Sequence, residues 1–168
     1  MRTIFKTDKK ESLYTAWYRR GFNFFPAFRR TGGRVCFISD DWKEMHIRVK
    51  LNWTTRNYVG TVFGGSLYGA IDPIFMFQLI KILGDDYVVW DKSATVHYKK
   101  PVKGKVYARF LITEELLEDI RLKIKEHHRA TYHLPCHFED EAGTIYASFE
   151  KVLYIAEKSY YKEKSKKA

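Results

Sequence analysis

The chain has 168 residues, 45% of them hydrophobic and 17% aromatic, a composition that excludes a disordered or low-complexity chain and can bury one core without disulfide or metal staples. With 30 Lys and Arg against 20 Asp and Glu the formal net charge is +10, so the partners to consider are anionic: nucleic acid, a phosphate-rich cofactor, an acidic carrier protein or a membrane surface. Cys36 and Cys136 stand in no paired spacing, and with no signal-like run at the N-terminus they predict a reducing, cytoplasmic setting.

Residues 11 to 30 read as an amphipathic helix with Leu13, Trp17, Phe24 and Phe28 broadly on one side and Arg19, Arg20, Arg29 and Arg30 interrupting it. Gly21 and Pro26 weaken it, and Thr31-Gly32-Gly33 ends it. A basic aromatic helix can lie on a membrane or cover a groove; packing against the domain's own sheet is the favoured reading. Two strands follow, Arg34 to Ser39 and Glu44 to Leu51, joined at Asp40-Asp41 as a hairpin. In the second, Met45, Ile47, Val49 and Leu51 alternate with His46, Arg48 and Lys50.

The stretch from Asn57 to Gly84 begins as a polar loop, passes through Gly64-Gly65 and becomes apolar at helical spacing: Leu67, Ala70, Ile71, Ile74, Phe75, Leu79 and Ile82. Gly69, Asp72 and Pro73 interrupt this longest apolar run, so no membrane span is predicted. From Val88 to Lys100 the chain alternates again, with Trp90, Ala94, Val96 and Tyr98 against Asp91, Ser93, Thr95 and His97. Lys105 to Thr113, Lys123 to Phe138 and Thr144 to Ile155 supply three more strands; the acidic Glu114 to Asp119 is a turn or one helical turn. The Lys-rich residues 156–168 form a frayed tail or a helix. The pattern predicts one α+β domain over residues 1–168, an antiparallel sheet (core 34–155) curled round a central helix.

The chemistry concentrates on that helix. Gly64 and Gly65 let a ligand approach the backbone, and the N–H groups of a helix start suit a carbonyl oxygen or developing oxyanion. Asp72, about two turns further on, is a carboxylate able to act as general base on water or as nucleophile. Two readings of Asp72-Pro73 stand: an N-cap with proline at the first helical position, or one continuous helix kinked at Pro73. The unbroken apolar phase from Leu67 to Ile82 favours the second. His127, His128, His133, Cys136 and His137 share no metal-ligand spacing, so no metal site is predicted. No GxSxG, P-loop or Rossmann fingerprint is present. Tyr98, Lys99, Lys100, Tyr107, Arg109 and Phe110 are able to stack on nucleotides, but nucleic-acid binding is the less favoured reading, because strand aromatics more often form core.

Asn57-x-x-Gly60-Thr61-x-Phe63-Gly64-Gly65 followed by Asp72 resembles the segment Asn-x-x-Gly-Thr-x-His-Gly-Gly, with an acid nine residues after the His, of hotdog-fold acyl-CoA thioesterases of the phenylacetate-pathway type. Val96-His-Tyr-Lys-Lys-Pro101-Val-Lys-Gly104 is similar to that superfamily's strand-Pro-x-x-Gly turn, and the match spans roughly residues 34 to 155. The resemblance implies an uncharacterised, thioesterase-like branch. In it Asp72 is the catalytic acid, the Gly64 and Gly65 amides polarise the thioester carbonyl, and Asn57 orients thioester or water. Asp91 or Ser93 lies beside the acid, and an acyl tunnel runs beside Phe63, Tyr68, Phe75 and Phe77. It also implies a homodimer with a shared site, pairing into a tetramer being left open. Acyl-CoA or acyl carrier protein is the partner, and coenzyme A enters as part of the substrate rather than as a cofactor. Phe63 departs from the pattern: it stands where the family has His and can neither donate a hydrogen bond nor carry a proton. With Pro73 directly after the acid, it keeps open a non-catalytic acyl or lipid binder as the alternative.

Overall fold

The structure, a computed structural model, describes residues 3–166 apart from the Ser165 side chain; residues 167 and 168 of the predicted tail lie outside it. Six strands run in chain order as β1 (Arg34–Ile38), β2 (Glu44–Lys50), β3 (Tyr87–Tyr98), β4 (Lys105–Leu111), β5 (Arg129–Glu139) and β6 (Ile145–Glu157). They form one antiparallel sheet in the order β1-β2-β4-β5-β6-β3. Among the described residues six helices accompany them: α1 (Leu13–Phe24), α2 (Pro26–Arg30), α3 (Gly64–Ile71), α4 (Ile74–Leu83), α5 (Glu114–His127) and α6 (Lys158–Lys166). The predicted α+β arrangement, a sheet round a central helix with an added N-terminal helix, is the one found.

The central helix follows one path broken only at Asp72-Pro73. Asp72 has φ −50° and ψ −52°, right-handed helical values, where a capping residue takes an extended conformation. Its N–H donates to the Tyr68 carbonyl at 3.0 Å, and the Phe77 N–H donates to the Pro73 carbonyl at 2.9 Å. Pro73 has no N–H, so the helical bond to the Gly69 carbonyl is not made. Gly64–Leu83 is long and apolar enough to cross a bilayer by length and composition, but in this fold it is the core helix: Ala70, Ile71, Ile74 and Leu79 are fully buried against Met45, Ile47 and Val49 of β2 and the inner residues of the other strands.

The N-terminal helix differs from expectation in two ways. Pro26 ends α1 and opens α2 at its first position, so residues 11–30 form two helices. Helix α1, started by a Ser12–Thr15 capping box, also packs through a different face. Tyr18 and Phe22 meet Trp42 and Phe77, with ring centroids 5.1 and 5.0 Å apart, and Thr15 and Arg19 are buried. Of the predicted packing face, only Phe28 is buried, while Leu13, Trp17 and Phe24 point to solvent. The helix is tied to the free edge of β1: Asn23 donates to the Val35 carbonyl at 2.9 Å and accepts from the Val35 N–H at 2.8 Å. Those bonds occupy edge groups that would otherwise invite another strand.

Two further expectations are corrected. Glu114 to Asp119 is not a single turn but the start of α5, 14 residues long and capped by Thr113, whose hydroxyl accepts from the Leu116 N–H. Leu117, Ile120 and Ile124 bury at helical spacing, so β5 begins at Arg129 rather than Lys123. In β3, a bulge at Lys92 resets the alternation. Asp91 stands opposite Leu153 and Ala94 opposite Lys151, both on the inner face, whereas Ser93 stands opposite Val152 on the outer face.

On the outer face of β2 the N-terminal arm covers a buried polar cluster. The Glu44 carboxylate accepts from Thr7 Oγ1 at 2.8 Å, Arg109 Nε at 2.7 Å and His46 Nε2 at 2.7 Å, and Thr3 Oγ1 lies 3.1 Å from His46 Nδ1. Burial works to raise the Glu44 pKa, but these three donors outweigh it and hold the carboxyl below its usual value. Burial holds His46 below the usual imidazole range against the pull of Glu44. Both folded pKa values lie under their unfolded ones, so the stability they confer is complete above the unfolded His value of about 6.5 and is lost as pH falls, first through His46 and then, below about 4.3, through Glu44. The thermal midpoint should therefore fall between pH 7 and pH 5. Glu44→Gln should destabilise by about 1–3 kcal/mol at pH 7. Melts recorded against pH check both, and a midpoint that is flat over that range in the wild type contradicts the assignment.

Candidate active site

Along β6, Ala147, Phe149, Leu153 and Ile155 face inward, and so does Lys151. An ammonium on the apolar side of a strand needs counter-charges, and it has two. Lys151 Nζ donates to Asp72 Oδ1 at 2.6 Å and lies 3.0 Å from Asp91 Oδ1, an ion-pair contact not aligned as a hydrogen bond. The Lys151 side chain is 1% exposed, against 44% for Asp72 and 22% for Asp91. Burial pulls the Lys151 pKa down, but the two carboxylates outweigh it and keep the ammonium charged. Burial, helped by the charge of Asp72, raises the Asp91 carboxyl despite the pull of Lys151. The Tyr68 ring completes the cluster, its centroid 5.4 Å from Nζ, and burial raises its phenol.

Asp72 thus has one oxygen fixed by a buried cation and an open flank. That flank lines an apolar cavity of about 680 Å³ formed by Trp17, Tyr18, Phe22, Phe25, Phe28 and Phe77 over the Gly69–Pro73 backbone. No other lining residue carries a charge. Phe77 is the one member of the expected tunnel set that lines it. Phe75 packs edge-on to Phe110 with centroids 4.9 Å apart and borders a separate slot between β4 and β5. Phe63 and Tyr68 lie outside the cavity lining, and the wall they were expected to make is built by α1 and α2.

The glycine entry lies at the other end of α3. Phe63 is its N-cap and supplies no side-chain cap, which leaves the first helical N–H groups without the usual side-chain acceptor. A Cβ on Gly64 would come within 2.9 Å of the Tyr98 ring, whose hydroxyl donates to the Gly64 carbonyl, and one on Gly65 within 2.3 Å of the Phe63 ring, so either would push an exposed ring aside. Asn57 shapes this loop rather than reaching Asp72. Its Oδ1 accepts from the Val59 and Thr61 N–H groups, and its Nδ2 donates to Thr61 Oγ1 at 2.9 Å. Asn57 and Gly64 share a second cavity, about 330 Å³, with Lys99 and Lys100. Eight residues at the helical rise separate Gly64 from Asp72 by about 12 Å. One chain therefore does not bring the amides and the acid onto one carbonyl.

Of the predicted residues, the structure joins Asp72, Asp91 and Tyr68; it groups Asn57, Phe63, Gly64 and Gly65 at a second locus, and it leaves Ser93 exposed on the outer face. Lys151 was missed, although its place in the apolar phase of β6 was a visible signal. Cys136 is no nucleophile, since burial pushes its thiol up to about 12. Among the described residues no group of His, Cys, Asp and Glu is arranged to hold a metal ion.

Several solved structures share this fold. The Pseudomonas aeruginosa protein PA5026, described as of unknown function and a probable thioesterase, is 19% identical with a TM-score of 0.75 over 88% of this chain and 98% of its own. Thioesterase HI1161 of Haemophilus influenzae is 13% identical with a TM-score of 0.63, covering 89% and 93% of the two chains. A mutant of the thioesterase PA1618 of Pseudomonas aeruginosa is 8% identical, with a TM-score of 0.63 over 92% and 99%. At these identities the likeness establishes the architecture alone, the hotdog fold. No curated protein matches the sequence. Residues 17–155 match the family described as a domain of unknown function, DUF4442, and the chain belongs to that family.

Proposed function

We propose that the protein hydrolyses acyl thioesters as a homodimer. The observation that carries this reading is Asp72, a half-exposed carboxylate oriented by a buried ammonium at the wall of an apolar cavity. The acyl chain occupies that cavity. Asp72 takes a proton from water, the water oxygen adds to the thioester carbonyl, and helix-start amides hold the oxyanion until the C–S bond breaks and the thiolate takes up the proton. The 12 Å gap within one chain is closed by a second protomer, whose Gly64 and Gly65 amides meet the first protomer's Asp72. Strand β3 supports such pairing, since it bonds to β6 along one edge and closes the sheet order. Lys99 and Lys100, beside Gly64 and Asn57, suit the phosphates of coenzyme A or the acidic surface of a carrier protein. The reading sets the protein in the cytoplasm, where both carriers work.

Phe63 favours a second reading. It is 57% exposed at the position where the amides begin and offers an acyl chain a surface but no proton. On that reading the protein binds acyl groups without cleaving them. The experiment is turnover of short-, medium- and long-chain acyl-CoA by the purified protein, together with mass spectrometry of co-purified lipid and its mass in solution. Hydrolysis by a dimer is the expected result. Bound acyl groups with no turnover on any chain length would transfer the assignment to the binder, and a monomer that turns over would remove the shared site.

A further inference from the structure

Helix α1 has two apolar faces and the fold uses one of them. Tyr18 and Phe22 pack inward, while Leu13, Trp17 and Phe24, within about 40° of one another on the helical wheel, are 92%, 66% and 72% exposed. Phe25, at the junction with α2, is 60% exposed. Arg20 on α1 and Arg29 and Arg30 at the end of α2 are exposed, and no Asp or Glu occurs from Leu13 to Arg30. Single exposed apolar residues are ordinary; a cluster of large apolar side chains on helices whose exposed charges are all arginine is not.

We propose that this face seats the protein on an anionic phospholipid bilayer, with Leu13, Trp17, Phe24 and Phe25 entering the headgroup region and Arg20, Arg29 and Arg30 meeting lipid phosphates. Three observations favour lipid over a second copy of the chain. The exposed charges on α1 and α2 are all basic, so two such faces repel each other and an anionic surface attracts them. Tryptophan and phenylalanine flanked by arginine is the side-chain chemistry of a helix lying in a membrane interface. Helix α1 binds the β1 edge of the sheet, whereas the edge suited to self-pairing is β3, at the opposite end. The face is also continuous with the apolar cavity, since Trp17, Gly21, Phe25 and Ala27 are exposed and line it as well. An acyl chain in the bilayer therefore lies beside the cavity mouth. The docking stands whether or not Asp72 cleaves a thioester.

Co-sedimentation of the full chain with vesicles of 70% phosphatidylcholine and 30% phosphatidylglycerol, and with vesicles of phosphatidylcholine alone, tests the seat. The wild type should partition onto the anionic vesicles and be released by salt. The variants Trp17→Ser/Phe24→Ser and Arg29→Glu/Arg30→Glu should each lose at least about tenfold in partitioning. All four positions are solvent-facing, so both variants should melt like the wild type, and the second leaves the aromatic residues in place. Absence of binding to anionic vesicles at low salt, or partitioning unchanged in either variant, would overturn the proposal. So would wild-type dimers that dissociate on Trp17→Ser/Phe24→Ser, which would assign the face to self-association.

Discussion

Asp72→Asn should lower thioester turnover by about 10²- to 10⁴-fold, the usual contribution of a positioned general base, while the fold survives. The asparagine is nearly isosteric, and its carbonyl oxygen can still accept from Lys151, so the buried ammonium keeps one charged and one neutral partner. The substituted amide cannot take a proton from water, so the loss should appear in kcat with KM little changed. Turnover in the variant equal to the wild type would exclude Asp72 as the base, and equal loss of acyl binding and turnover would point to a binding role. The Oδ1–Nζ contact of 2.6 Å gives the carboxylate a fixed direction, so Asp72→Glu, which moves the oxygens by a methylene, should also be impaired.

The second large effect is on stability. Lys151→Met removes the cation that both carboxylates face and leaves Asp91, three-quarters buried, without its counter-charge. Removing one partner of a buried ion pair costs about 3–5 kcal/mol; the partial exposure of Asp72 and Asp91 moderates this to about 2–4 kcal/mol. Protonation of Asp91, whose carboxyl is already raised by burial, relieves part of the strain, so the deficit should shrink below neutral pH. Combining Lys151→Met with Asp91→Asn should restore most of the lost melting temperature, because the buried charge is then gone with its partner. Urea melts of the single and double variants decide the matter: identical stability in the two would mean that Lys151 acts by packing alone.

Much of the framework was legible in the residues. The alternation in β2 and the helical phase from Leu67 to Ile82 located the sheet and the helix inside it, because a period of two and a period of 3.6 are hard to confuse over long runs. Helix α5 was misread where those periods overlap: Leu122 and Ile124 alternate with Arg121, Lys123 and Lys125 as in a strand, while Leu117, Ile120 and Ile124 carry the true spacing. Thr113, followed by two glutamates, was the start signal that should have decided it. The bulge at Lys92 left no mark in the pattern, so simple alternation puts Asp91 and Ser93 on one face. The face of α1 was misassigned because aromatic residues lie all round that helix and periodicity does not tell a packed aromatic from an exposed one. The acid was visible from Asp72 alone; its partner lies 79 residues away, a separation that no local pattern spans.

The sheet itself has a seam. Strands β4 and β5 meet through one residue pair, Tyr107 and Glu139, whereas β2 and β4 pair along seven residues and β5 and β6 along eleven. The chain leaves β4 to build α5 before returning as β5, and a slot lined by Arg109 and Leu111 of β4 and by Leu134, Pro135, Cys136 and His137 of β5 borders both strands. The sheet is therefore two three-stranded leaves, β1-β2-β4 and β5-β6-β3, held in register chiefly by the apolar helix they both clasp. Such leaves can part without either losing its own pairing, so backbone amides along the seam should exchange with solvent sooner than those within a leaf. The Asp72 carboxylate reaches Lys151 in one leaf, while Gln78, further along the same helix, donates to the Trp42 carbonyl beside the other at 2.9 Å. The central helix is then the spine that binds two semi-independent folding units.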